Sequence, residues 1–90
     1  MDKKGIETLK KSLEKNRGAG ATISICHKLY GLQKVKCELN YIFDAERIGV
    51  KIKSGQELFI YRSDLINFGI EDGIYFADNM MEIKIQLHVQ

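Results

Sequence analysis

Residues 34–43 read Lys34-Val35-Lys36-Cys37-Glu38-Leu39-Asn40-Tyr41-Ile42-Phe43. Val35, Cys37, Leu39, Tyr41 and Phe43 fall on one side of a strict alternation, and Lys34, Lys36, Glu38, Asn40 and Ile42 on the other. A strand turns successive side chains to opposite faces, so a period of two reads as a half-buried strand and not as a helix. The period continues upstream, where Ile23, Ile25, His27 and Leu29 alternate with Thr22, Ser24, Cys26 and Lys28. Downstream it recurs in Ile48, Val50 and Ile52, in Leu58 and Ile60 against Phe59 and Tyr61, and in Ile83, Ile85, Leu87 and Val89 against Lys84, Gln86 and His88. Such alternation marks antiparallel strands with one solvated face.

Matching apolar faces sets the expected registers, because a one-residue slip turns a strand inside out. A loop Asp44-Ala45-Glu46-Arg47 places Phe43 against Ile48, Tyr41 against Val50 and Leu39 against Ile52. A loop Ser54-Gly55-Gln56 places Ile52 against Leu58, Val50 against Ile60 and Lys53 opposite Glu57. Glu71-Asp72-Gly73 is a three-residue hairpin loop with Gly where a positive φ is needed, and it sets Phe68 against Phe76. For the first hairpin, a Gly31-Leu32 turn would put Cys26 opposite Cys37, but it would also set Ile23 and Ile25 against Asn40 and Glu38. A Gly31-Leu32-Gln33 loop sets Ile25 against Leu39 and His27 against Cys37 instead. That register predicts two free thiols.

Ahead of the strands, Ile6, Leu9 and Leu13 recur three and four residues apart between Asp2 and Arg17. This is one apolar stripe on a helix over 2–17, with Asp2 as cap and Gly18 and Gly20 as stop. A lone helix of this length is marginal in water and must lie on the sheet. The 90 residues, 44% of them apolar, suit one domain, 1–90, with strands over 22–89. The expected fold is mainly β with one N-terminal helix: an antiparallel meander closing into a small barrel, with an extra C-terminal hairpin.

The net charge of +2 is unevenly spread. Residues 1–53 hold 12 Lys/Arg against 6 Asp/Glu, a net of +6, and residues 54–90 hold 2 against 6, a net of −4. A basic half attracts polyanions through its summed field. No apolar run approaches the ~20 residues of a membrane helix, and the chain does not open on an export signal, so a cytoplasmic setting with reduced cysteines is expected and no membrane role is. His27 and His88 are too few and too isolated for a metal centre. There is no nucleophile–base spacing, phosphate-cradling glycine loop or paired carboxylate motif, so neither an enzyme nor a cofactor is expected. Gly18-Ala19-Gly20 reads as a helix end, and Glu71-Asp72 as solvated acids of a turn.

The remaining signal is for nucleic acid. Lys51, Lys53, Phe59 and Tyr61 share the face opposite the Ile/Val/Leu core, with Arg62 at its corner. Lysines follow a phosphate backbone and aromatic rings stack on bases. Lys10, Lys11, Lys15 and Arg17 on the helix add further cations. The plainer reading treats Phe59 and Tyr61 as a second core and the helix cations as a solvated face.

The chain order resembles that of the Sm-like small barrels, which include the Hfq-type RNA chaperones. Ile23-Ser24-Ile25 with Tyr30-Gly31 looks like their first strand and its glycine turn. The second strand ending in Phe43-Asp44 is similar to theirs, and Val50-Lys51-Ile52-Lys53-Ser54-Gly55 resembles the third strand and turn. Ile60-Tyr61-Arg62-Ser63-Asp64-Leu65-Ile66 looks like the fourth strand, a one-turn 3₁₀ corner and the start of the fifth. The resemblance covers residues 3–70 and implies an oligomeric, non-catalytic RNA-binding protein. Two departures bear on the RNA site: Ala45-Glu46 replaces the usual Gln and stacking aromatic, and Arg62-Ser63 replaces Lys-His. Residues 71–90 add a segment that such barrels lack. The competing expectation is a small bacterial or phage adaptor or inhibitor that recognises a protein through a strand edge or its acidic tail.

Overall fold

Residues 3–88 are described by the computed structural model. The apolar stripe at positions 6, 9 and 13 forms the buried side of α1 (Lys3–Lys15), and Ile6, Leu9 and Leu13 all enter the core. The helix ends two residues earlier than its pattern predicts. Asn16 Nδ2 donates to the Ser12 carbonyl (2.8 Å) and Gly18 takes φ 83°, while Gly20 opens the first strand and is no part of the helix stop. The expected cap Asp2 and the last expected strand residue Val89 lie outside the described residues.

Eight strands follow among the described residues: β1 (Gly20–His27), β2 (Gly31–Glu38), β3 (Tyr41–Phe43), β4 (Arg47–Lys51), β5 (Glu57–Tyr61), β6 (Asn67–Gly69), β7 (Ile74–Ala77) and β8 (Met81–Leu87). A one-turn 3₁₀ helix, Arg62–Asp64, stands between β5 and β6, at the corner expected there. The strands form two antiparallel sheets, ordered β2-β1-β8-β7-β6 and β3-β4-β5. The mainly β architecture with an N-terminal helix is therefore observed, whereas the single meander is not. β8 pairs with β1, setting Ile83 opposite Ile25 and Ile85 opposite Ile23, so the C-terminal strands are the middle of the larger sheet and not an appendage.

The ten-residue strand read over 34–43 is broken at Leu39–Asn40, and its halves belong to different sheets. Leu39 faces β1, donating to the Ala19 carbonyl (2.8 Å) and accepting from Gly18 N–H (2.8 Å). Asn40 faces the other way and accepts from Lys51 N–H (2.7 Å). Beyond that bond β2 and β4 separate. Leu39 is not paired with Ile52, which donates to the Gln56 carbonyl within its own turn (2.9 Å).

Register was legible where a turn had a strong signature. Phe43 lies opposite Ile48 and Tyr41 opposite Val50, as expected, and so does Phe68 opposite Phe76. Asp72 and Gly73 supply the positive φ of the last turn, 53° and 118°. The β4–β5 ladder is displaced by two: Val50 faces Leu58, Ile48 faces Ile60 and Lys51 faces Glu57, which leaves every side chain on its expected face. The first hairpin is corrected more deeply. Its turn is Lys28-Leu29-Tyr30, and Gly31 (φ 83°) closes that turn where it was expected to open one. Ile25 thus faces Gln33, Ile23 faces Val35, and Cys37 faces Ala21. Cys26 faces Leu32, five positions along from Cys37, so both thiols are free by a register that neither alternative contained.

One apolar cluster spans α1 and both sheets, with Leu9, Leu13, Ile23, Leu39, Ile48, Ile60, Phe76, Ile83 and Ile85 essentially shut off from solvent. α1 packs on β6 and β7. Gly49 marks a second, smaller contact on the outer face of the three-stranded sheet, in one row with Ile42 and Phe59. Ile42 is buried there, although alternation placed it on the polar side. A Cβ at Gly49 would collide with the Leu58 carbonyl oxygen and lie 2.6 Å from Phe59 Cα. At Gly69 the obstacle is the tip of the Tyr75 ring, 2.7–2.8 Å away, which can swing. Gly49→Ala is accordingly expected to cost about 3 kcal/mol and Gly69→Ala under about 1 kcal/mol, measured by denaturant unfolding. Equal costs would contradict the backbone contact as the cause.

Candidate nucleic-acid interface

The separation of β2 from β4 leaves an open cleft of about 450 Å³, lined by Lys36, Cys37, Glu38, Asn40, Lys51, Ile52 and Lys53. Alternation carries Lys36 outward on β2 and Lys51 outward on β4, and the turn after β4 adds Lys53. Three ammonium groups therefore face one lining carboxylate, Glu38. Lys51 is also held by Glu57 directly across the ladder, Nζ to Oε2 3.5 Å. A partly screened cluster of this kind attracts phosphate oxygens without fixing their geometry.

From Lys51 the outer face of the three-stranded sheet runs along β5 through Phe59 to Tyr61. Lys51, Phe59 and Tyr61 do share one face, as the alternation predicted, whereas Lys53, expected on the same face, lies beyond the end of β4 in the following turn. Phe59 and Tyr61 meet edge to face, with centroids 5.3 Å apart. Phe59 is half-buried in the Gly49 row, with the Arg47 guanidinium 5.0 Å from its centroid. Tyr61 remains 49% exposed and is the ring on this face that can stack on an incoming base.

Arg47 is tied at both ends. Its Nη2 lies 2.9 Å from Asp44 Oδ2, and its Nη1 lies 3.7 Å from Glu57 Oε1. Asp44 Oδ1 accepts the backbone N–H of Glu46 (2.9 Å) and of Arg47 (2.7 Å), closing the loop between β3 and β4. Those two backbone bonds, and then the Arg47 side chain, hold the Asp44 carboxyl below its ordinary value of 3.8.

The remaining expected site residues are divided. Lys10, Arg17 and Arg62 gather on the edge strand β3 and not beside Tyr61. Lys10 Nζ stands 5.9 Å and the Arg62 guanidinium 5.2 Å from the Phe43 centroid, and Arg17 lies 5.7 Å from that of Tyr41. Arg62 also donates to the Asp44 carbonyl (3.0 Å). Each cation–ring contact contributes about 0.5–1 kcal/mol at such partly exposed sites. Lys11 and Lys15 are exposed on the solvent side of α1, apart from the cleft and the Tyr61 face. Lys36 and Arg47 were not singled out by sequence. Lys36 looks like any outward lysine until β2 and β4 are seen to separate, but Gly49 inside an apolar strand was a readable sign of close approach.

Among the described residues, no three His, Cys, Asp or Glu side chains are grouped to hold a metal ion, and no helix is long and apolar enough to cross a membrane. No protein-family model matches the chain, and neither a curated protein nor a solved structure matches it.

The Asp44 loop gives a pH prediction. A carboxyl whose folded value is lowered contributes stability above its unfolded value and loses it as pH falls through the folded one. Asp44→Asn removes the charge, so the stability gap between wild type and variant should be constant at neutral pH and narrow as pH drops below about 3.8. Denaturant midpoints taken across that range check this, and a gap that stays open in acid would remove the carboxylate from the explanation.

Proposed function

We propose that this chain is a non-catalytic, self-associating RNA-binding protein of the Sm-like small-barrel type. The observation that carries the reading is the lysine cleft, Lys36, Lys51 and Lys53, opening onto a sheet face that ends in the exposed ring of Tyr61. Single-stranded RNA offers both partners at once: a phosphate string for the lysines and unstacked bases for the ring. Lys10, Arg17 and Arg62 supply a second group of cations around β3, though Arg62 is partly engaged by the Asp44 carbonyl.

The element order supports the small-barrel type. A helix, a strand, a strand bent at Leu39–Asn40, two further strands, a 3₁₀ corner at Arg62 and a following strand succeed one another as in that family. β7 and β8 then stand between β6 and β1, where a five-stranded barrel would close. They widen the larger sheet and leave β6 at its far edge. The adaptor reading is favoured by a different observation, the exposed Leu29 and Tyr30 at the β1–β2 turn.

Retention of a fluorescent single-stranded RNA at low salt tests the proposal. Affinity is expected to fall linearly on a log–log plot as salt rises, with a slope of about −0.7 per phosphate neutralised. Replacing Lys36 and Lys53 together by Gln should flatten that slope by about one to two contacts. Tyr61→Ala should cost about 1–3 kcal/mol at every salt concentration. Absence of retention at the lowest salt used would overturn the reading.

A further inference from the structure

Among the described residues, β2 is the longest strand at a sheet edge. Its eight residues are exposed except for the half-buried Val35 and Cys37. The other edge strands are shorter: β5 has five residues and β3 and β6 have three each. Hydrogen bonding along an antiparallel ladder alternates sides. Leu39 bonds toward β1, and the Gly20 carbonyl bonds away from β2, to His88 N–H (2.9 Å). Gln33, Val35 and Cys37 therefore bond to β1, whereas Leu32, Lys34 and Lys36 present their N–H and C=O groups outward.

We propose that a second copy of this chain docks on this edge, β2 against β2 about a two-fold axis at Gln33. The charges choose the register. Lysines on an open edge ordinarily oppose strand addition. An axis at Val35 would oppose Lys34 to Lys36 twice, one at Lys34 or Lys36 would oppose a lysine to itself, and one at Leu32 would oppose Lys28 to Lys36. An axis at Cys37 would drive the incoming strand into the space that β4 occupies opposite Asn40 and Tyr41. The axis at Gln33 opposes no like charges. It sets Leu32 against Lys34, Tyr30 against Lys36 and Lys28 against Glu38, each twice by symmetry.

The same register accounts for the hairpin tip. Leu29 is 71% and Tyr30 85% exposed in the single chain, and Lys28 and Glu38 make no ion pair among the described residues. In the pair the tip of one copy lies opposite residues 36–38, at the mouth of the other's lysine cleft. Lys28 of each copy then neutralises the one carboxylate lining that cleft, and Tyr30 brings a second ring to it. This deepens the self-associating part of the reading above and is tested without RNA, so each can fail alone.

Light-scattering mass is expected to rise with concentration from 10.3 kDa toward twice that value. Lys28→Glu and Glu38→Lys should each weaken pairing by about tenfold or more. An equal mixture of the two variants should recover it, since each of the two contacts across the axis then joins an acid to a base again. Lys34→Pro should give a monomer with unchanged circular dichroism, because its N–H makes no bond to β1. In a Cys26→Ser, Cys37→Ser background, Gln33→Cys should cross-link on mild oxidation and Val35→Cys should not, as only residue 33 meets itself within disulfide reach. A monomeric wild type at all concentrations would overturn the proposal. So would failure of the mixed variants to pair, or cross-linking at 35 in place of 33.

Discussion

Two neighbouring backbone groups hold the architecture together. Leu39 is bonded to the segment before β1, and Asn40, one residue later, is bonded to β4. Because successive residues of a strand direct their hydrogen bonds to opposite sides, a single extended segment can join two sheets at such a point without leaving either carbonyl unpaired. Leu39 itself is buried in the core beneath the junction. The two sheets can then close over one apolar interior, with α1 covering the side that β6 and β7 leave open.

The junction also creates the cleft. If β2 and β4 stayed paired past Asn40, Lys36 and Lys53 would flank a continuous ladder and no concavity would exist. Instead β4 stops at Lys51, Ile52 turns inward, and the two strand ends separate. Among the described residues, two of the three lysines there, Lys36 and Lys53, make no ion pair, while Lys51 is held by Glu57. Arg47 is held by Asp44 and Glu57, and Arg62 by the Asp44 carbonyl and the Phe43 ring, whereas no ion pair engages Lys36 or Lys53 among the described residues. Which cations can meet a ligand is thus decided by which partners the Asp44 loop and β5 place nearby, not by the count of lysines.

The sequence made faces legible and partners only partly so. Period-two alternation assigns each residue to a side, and it did so correctly for Lys51, Phe59 and Tyr61. It is blind to a slip of two, which is why Val50 could be matched with Ile60 when it faces Leu58: both partners are apolar and both keep the face. The first hairpin shows the opposite weakness. Apolar matching demanded that Ile25 find Leu39, but β2 is an edge strand whose inner side is half covered, so Gln33 opposite Ile25 costs little. The apolar match that Ile25 needs is made on its other side, by Ile83 of β8, nearly sixty residues along the chain. Local pattern carries no information about that pairing.

The resulting charge distribution follows from topology as much as from composition. The basic first half of the chain supplies α1, β2 and the β3–β4 region, whereas four acids of the second half, Asp64, Glu71, Asp72 and Asp78, sit at strand ends and only Glu57 and Glu82 lie on its strands. Asp78 Oδ1, for example, accepts the backbone N–H groups of Met80 and Met81 and closes the β7–β8 turn. The strands themselves carry Lys34, Lys36, Arg47, Lys51 and Lys84 against Glu38, Glu57 and Glu82, so the cations on them are in excess. A chain of net charge +2 can therefore present a positive face to a polyanion, because much of the opposing charge of its second half is held at turns at the ends of its sheets.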